Sequence, residues 1–155
     1  HDRQPNNISK EVREMMLANK SDYAIHAMMY IAAVDGKHLC TITEIAEQAH
    51  IPREYAAKIL KELTKKGIII SKRGVTGGYK LAKSKNQVNF LHIVEAMTGP
   101  LAVAFCNLPE SQRNGMHGKG ACAATSFFTD LQKKIASDLS GMTLDKLDYG
   151  KFYKL

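Results

Sequence analysis

The stretch TITEIAEQAHIPREYAAKILKELTKKGIII, Thr41–Ile70, sets the architecture of the chain. Thr43 suits the cap of a short helix ending near Ala49. His50-Ile51-Pro52 makes a tight turn, and proline fits the first turn of the helix that follows. That second helix runs from about Arg53 to Lys66 and closes at Gly67. Ala56, Ile59, Leu60 and Leu63 recur at helical spacing and form its buried stripe. Lys58, Lys61, Lys65 and Lys66 fall on the opposite, solvent-facing side.

Beyond Gly67 lies IIISKRGVTGGYKLAK. Two β-prone stretches, Ile68–Lys72 and Gly78–Ala82, flank a glycine-rich turn and predict a hairpin. A short helix, a tight turn, a basic helix and a glycine-tipped hairpin follow one another in the order of a winged helix-turn-helix. Upstream, SDYAIHAMMYIAAV places Tyr23, Ala24, Ala27, Met28, Ile31 and Ala32 on one helical face, with Ser21 as a suitable N-cap and Asp22 in the first turn. Asp35-Gly36 ends that helix. Downstream, Asn89–Thr98 reads as a short helix. Phe127 or Phe128, Leu131, Ile135 and Leu139 mark a long apolar seam over about 125–139, and Thr143 begins a short terminal helix. The expected class is mainly α with a small β wing. Residues 1–15 read as an N-terminal extension, with Met15 or Met16 a candidate natural start. Residues 16–98 read as the DNA-binding unit, 99–124 as a cysteine loop, and 125–155 as a long C-terminal helix and tail, the helix that the resemblance described below makes the dimerisation helix.

Composition agrees with a polyanionic partner. The 155 residues carry 22 Lys and Arg against 15 Asp and Glu, a formal charge of +7. A helix is about as wide as the major groove, so side chains on its first turns reach base edges. Here those are Arg53, Glu54, Tyr55 and Lys58. Thr41 and Thr43, at the start of the preceding helix, suit phosphate contacts through hydroxyl and backbone N–H. Lys72 and Arg73 sit at the tip of the hairpin, where a thin loop ending in arginine suits a narrow minor groove. No apolar run approaches the ~20 residues of a membrane helix. The polar first residues carry no secretory leader pattern, so the expected compartment is the cytoplasm. An enzyme is not expected, because no metal-hydrolase or paired-cysteine motif is visible.

SDYAIHAMMYIA, the Thr41–Ile70 stretch, KRGVTGGYKLAK, LHIVEAMTGPL and TLDKL together resemble the IscR, NsrR and CymR family of bacterial transcriptional regulators, over residues from about 16 to 148. The wing motif at Lys72–Tyr79 is its most specific part. The resemblance implies a cytoplasmic homodimer that binds an imperfect palindrome in double-stranded DNA and dimerises through the helix at about 125–139. It places Tyr55 and Lys58 in the major groove and Arg73 in the minor groove. Ala57 stands where some members carry a glutamate that restricts the operators accepted.

The loop CNLPESQRNGMHGKGAC, Cys106–Cys122, has little to pack. Many members of the family bind an iron–sulfur cluster through three cysteines in this loop; this chain has two, short of the four positions a [2Fe–2S] unit needs. Asp22 and His26 stand four apart on the first predicted helix, so they project from one face. Asp22, His26, Cys106 and Cys122 match, with Asp in place of Glu, the ligand set of the RsrR-type redox sensors. The resemblance there implies a [2Fe–2S] cluster held by two thiols of one subunit and the acid–histidine pair of the other. His117 is the reserve ligand, and Arg113 and Lys119 would offset the cluster's charge. Plainer readings stand beside this one. Asp22 suits the helix dipole, His26 an exposed helical position, and Cys106 and Cys122 buried thiols or a disulfide under oxidation. Cys40 reads as a buried structural thiol. The function expected is a redox, nitric oxide or iron–sulfur sensor that regulates transcription. The alternative is a cluster-free regulator governed by a partner protein, a small effector or thiol oxidation.

Overall fold

The computed structural model describes residues 19–112 and 122–155. Five α-helices and one antiparallel hairpin appear among them. Helix α1 spans Asn19–Ala33, α2 Ile42–Gln48 and α3 Arg53–Lys65; strand β1 spans Ile69–Lys72 and β2 Gly78–Leu81; α4 spans Phe90–Thr98 and α5 Thr125–Gly141. The class expected from the sequence is the class observed.

Local chemistry explains most boundaries. Helix α2 starts at Thr41, not at Thr43 as the sequence reading has it. Thr41 Oγ1 accepts from the N–H of Glu44, and the Glu44 carboxylate accepts from the N–H of Thr41, a reciprocal capping box. Thr43 lacks an acid or amide three residues on and lies within the first turn. Ser21 is likewise not a cap: α1 is already under way at Asn19, and Ser21 is buried inside it. Helix α3 stops where Gly67 takes φ +73°. Asn89 caps α4, its Oδ1 accepting from the N–H of His92. The terminal helix expected at Thr143 is a single 3-10 turn, Leu144–Lys146, and a second such turn spans Tyr149–Lys151.

The core lies between α1, α3 and α4. Ala24, Ala27, Met28, Ile31, Ile45, Ala56, Leu60, Leu63 and Ile93 have at most 1% exposure. Truncating one such leucine to alanine costs ~2–5 kcal/mol. Helix α1 is buried on more than one side, because Ile25, Tyr30 and Ala33 also lie inside. Lys20 of α1 and Glu62 of α3 form an ion pair at 2.7 Å on its rim.

The hairpin pairs Ile69 with Leu81 and Lys72 with Gly78. Its base is fastened to the loop before α2: Cys40 N–H donates to Tyr79 O at 3.0 Å and Tyr79 N–H to Cys40 O at 2.8 Å. Glycine is needed in the hairpin. A Cβ on Gly78 would sit 2.6 Å from Cys40 O, and one on Gly77 2.1 Å from Lys72 O.

Helix α5 differs from the others. Not one of its 17 residues is buried, although Phe128, Leu131, Ile135 and Leu139 recur along one face and Phe127 is 64% exposed.

Candidate DNA interface and ligand half-sites

Helix α3 presents Arg53, Glu54, Tyr55 and Lys58 outward from its first turns, while Ala56, Ile59 and Leu60 hold it to the core. Tyr55 is held by an edge-tilted contact with Tyr23 of α1. Thr43 is exposed in the first turn of α2, and Thr41 is exposed at its cap with its hydroxyl engaged by Glu44 N–H. Lys72 ends β1 and Arg73 follows it into the wing tip, both exposed beside a fully exposed Val75. The sequence-predicted DNA contacts thus occupy exposed positions on α2, α3 and the wing.

The four candidate cluster ligands form two pairs. On α1, His26 Nε2 lies 3.6 Å from Asp22 Oδ1, and both side chains are about half exposed. His26 also borders a cavity of ≈ 590 Å³ between α1, the end of α2 and the C-terminal tail, where Met29, His50, Tyr149 and Tyr153 join it.

At the other pair, Cys106 lies in a 3-10 turn and is buried, while Cys122 precedes α5 and is half-buried. Cys122 N–H donates to Thr125 Oγ1 at 2.9 Å, Thr125 N–H donates to Cys122 O at 3.1 Å, and Thr125 Oγ1–H donates to the Cys122 sulfur at 3.5 Å. These bonds, with Thr125 foremost, the N–H of Ala124 next and the Cys106 thiol also within reach, hold the Cys122 thiol below its ordinary pKa. A lowered thiol pKa at a helix start favours the thiolate, the form that ligates metals. The two free thiols, Cys106 and Cys122, therefore lie together. No group of three ligating atoms among the described residues unites this pair with Asp22 and His26. His117, Arg113 and Lys119 lie outside the described residues.

Sequence reasoning missed a third grouping. His38, the fully buried Cys40 and Glu44 bring ligating atoms within 4.8 Å of one another. The visible signal was a histidine and a cysteine two apart ahead of a capping glutamate.

No helix among the described residues is long and apolar enough to cross a membrane. The family model for Rrf2, described as an iron-dependent transcriptional regulator, matches residues 17–148. The transcriptional regulator IscR of Pectobacterium carotovorum is 29% identical over 133 residues, covering 86% of this chain and 79% of that protein. Among solved structures, CymR, the global cysteine regulator of B. subtilis, superposes with a TM-score of 0.71 at 18% identity, covering 90% of this chain and 98% of that one. IscR of T. potens superposes with a TM-score of 0.70 at 20% identity, covering 90% and 93%. These relatives are regulators of transcription and not enzymes, and the fold they share is the winged helix described above. With a family model spanning most of its length, the chain belongs to the Rrf2 family of DNA-binding transcriptional regulators.

Proposed function

We propose that the protein works as a homodimer that senses redox state, nitric oxide or iron–sulfur status through a [2Fe–2S] cluster held between subunits. Cys106 and Cys122 of one subunit and Asp22 and His26 of the other would be its ligands. The observation that carries this reading is the division of ligands into two incomplete half-sites. Two adjoining thiols, one biased toward thiolate, supply soft donors. An exposed carboxylate–imidazole pair supplies the remainder. Each half-site offers two of the four positions required, and the donor chemistry suits iron. The unburied apolar face of α5 supports a dimer, since a helix of this length normally buries such a stripe.

When bound, such a cluster supplies a one-electron change; oxygen and nitrogen ligands raise its potential relative to an all-thiolate set. The chain's own residues carry the response. Asp22 and His26 lie on α1, whose inner face packs on α3 and whose Tyr23 touches Tyr55. A change of charge or position at that pair acts on the DNA-reading turn through this contact. Operator half-sites lie about one helical turn apart. A small displacement of α3 in each subunit therefore weakens binding.

A second reading rests on the meeting of Cys106 and Cys122. The two thiols could close a disulfide by giving two electrons and two protons to hydrogen peroxide, which leaves as water. In this reading the switch carries no iron.

Anaerobic purification, absorption spectra, and iron and sulfide assays separate the two. The cluster reading expects a coloured protein with iron and sulfide in equal amounts, and loss of both in Asp22→Ala and His26→Ala. A colourless, iron-free protein that still binds DNA tightly overturns it, as does full iron content in both variants.

A further inference from the structure

We propose that His38, Cys40 and Glu44 form a second metal site, one that takes a single divalent ion of borderline softness such as Zn2+ through imidazole, thiolate and carboxylate. It is independent of the inter-subunit ligands and lies at the start of the helix-turn-helix.

The three ligating atoms already lie within 4.8 Å of one another. Ligands bound ~2.0–2.3 Å from a common tetrahedral ion sit ~3.3–3.8 Å apart, so side-chain adjustment alone closes the site. One sulfur, one nitrogen and one oxygen are too soft a set for Mg2+ or Ca2+ and too few thiolates for an iron–sulfur unit. Three protein ligands and a free fourth position are the pattern of an open zinc site.

The surroundings are arranged around the carboxylate. Tyr30 Oη–H donates to Glu44 Oε1 at 2.5 Å, and Thr41 N–H donates to Oε2 at 3.4 Å. Such outer partners fix a ligand's orientation. His38 Nε2 already contacts Glu44 Oε1 at 2.5 Å. Cys40 closes the inner side with no exposure, and His38 closes the outer side, beside a depression of ≈ 190 Å³ lined also by Asp35, Lys37 and Lys80. Burial, then the charges of Glu44 and Asp35, push the Cys40 thiol up to about 12. That same negative field favours a cation. On binding, the Cys40 S–H bond breaks, its electron pair forms the sulfur–metal bond, and the proton leaves to solvent; the His38 imidazole gives a ring-nitrogen lone pair to the ion in place of its contact with Glu44.

The consequence is mechanical. Cys40 pairs through its backbone with Tyr79 of the wing, Thr41 caps α2, and Tyr30 belongs to α1. An ion here fastens the wing base, the helix-turn-helix and α1 at one point.

The 155-residue chain with Cys106→Ser and Cys122→Ser retains Cys40 as the single thiol of its three. Where that variant does not fold, Cys106→Ala with Cys122→Ala takes its place, since alanine leaves no polar group at the buried Cys106 position. Metal-stripped protein is titrated with Co2+, and circular dichroism checks folding. The expected result is a thiolate-to-cobalt charge-transfer band that saturates at one equivalent and is bleached by Zn2+. His38→Ala, at an exposed position, weakens Co2+ binding about tenfold or more while the fold is kept. No band in folded protein at excess Co2+ overturns the proposal, as does an affinity unchanged in His38→Ala. Neither result touches the inter-subunit site, which is read from iron and sulfide in the unmodified protein.

Discussion

The ring of Tyr23 lies 5.6 Å from that of Tyr55, with the planes tilted by 54°. Tyr23 follows Asp22 on α1, and Tyr55 stands in the first turn of α3, so one aromatic contact joins the carboxylate–imidazole pair to the proposed DNA-reading surface. An aromatic pair contributes ~0.5–1.5 kcal/mol beyond its area. Tyr23→Ala is expected to weaken binding to a selected operator duplex about two- to tenfold, with cooperative unfolding retained. Fluorescence anisotropy measures this, and an unchanged affinity would show that the contact carries no information.

The wing offers a separate test of contact and of scaffold. Arg73→Ala is expected to weaken binding and to lower the slope of log affinity against log salt by about 1. Gly78→Ala acts differently, because the new Cβ meets Cys40 O at 2.6 Å. It should cost ~1–3 kcal/mol of stability by overpacking. Thermal melts distinguish the pair: Arg73→Ala leaves the midpoint in place and Gly78→Ala lowers it.

Thiol reactivity follows from the hydrogen bonds at the start of α5. The Thr125 hydroxyl, first among several donors, lowers the pKa of Cys122. In metal-free protein the alkylation rate of Cys122 should therefore rise with a midpoint below that of an ordinary thiol. Thr125→Val should move that midpoint upward. Cys40, buried and pushed up to about 12, should stay unmodified in the native state. Mass spectrometry of timed samples reads all three, and equal rates at Cys40 and Cys122 would contradict the assignment.

Glu44 sets an acid limit on stability. Burial alone would raise its pKa, but hydrogen bonds from Tyr30 and His38 outweigh burial and the net shift is downward. A carboxyl with a lowered folded-state pKa adds stability above its unfolded value. That stability is lost as pH falls through the lower folded value. With chelator present, the wild-type midpoint should fall below about pH 4. Glu44→Gln should flatten this dependence and, at neutral pH, cost about 1–2 kcal/mol from weakened capping and hydrogen bonds. Calorimetry across pH checks both, and identical pH profiles would remove Glu44 from the account.

The exposed stripe on α5 is the proposed dimer contact. Phe127→Glu with Leu131→Glu should yield a monomer and weaken operator binding at least tenfold, since two half-sites can no longer be engaged together. Light scattering on the eluting protein gives the mass. A double variant that stays dimeric would place the subunit contact elsewhere.

Helix α3 and the hairpin were legible in the residue order because their signals are local. Proline, the Ala56–Leu63 stripe and Gly67 each act within a turn or two, and so do the paired glycines of the wing. The start of α2 was misread by two residues because Thr41 and Thr43 are both good caps in isolation. What separates them is the reach of Glu44 back to Thr41, and that same carboxylate is also held by Tyr30, fourteen positions earlier. The one or two turns over which a cap is read do not reach back to Tyr30.

Element types were therefore encoded in short-range pattern and composition, which also name the candidate DNA contacts and the candidate ligands. The meetings of Tyr23 with Tyr55, of Cys106 with Cys122, and of His38, Cys40 and Glu44 depend on how helices pack and loops return. Packing is set by the summed burial of Met28, Ile31, Leu60 and Ile93, contributed from separate helices. Periodicity announces that each of these residues is inside, but it carries no record of which side chains then face one another.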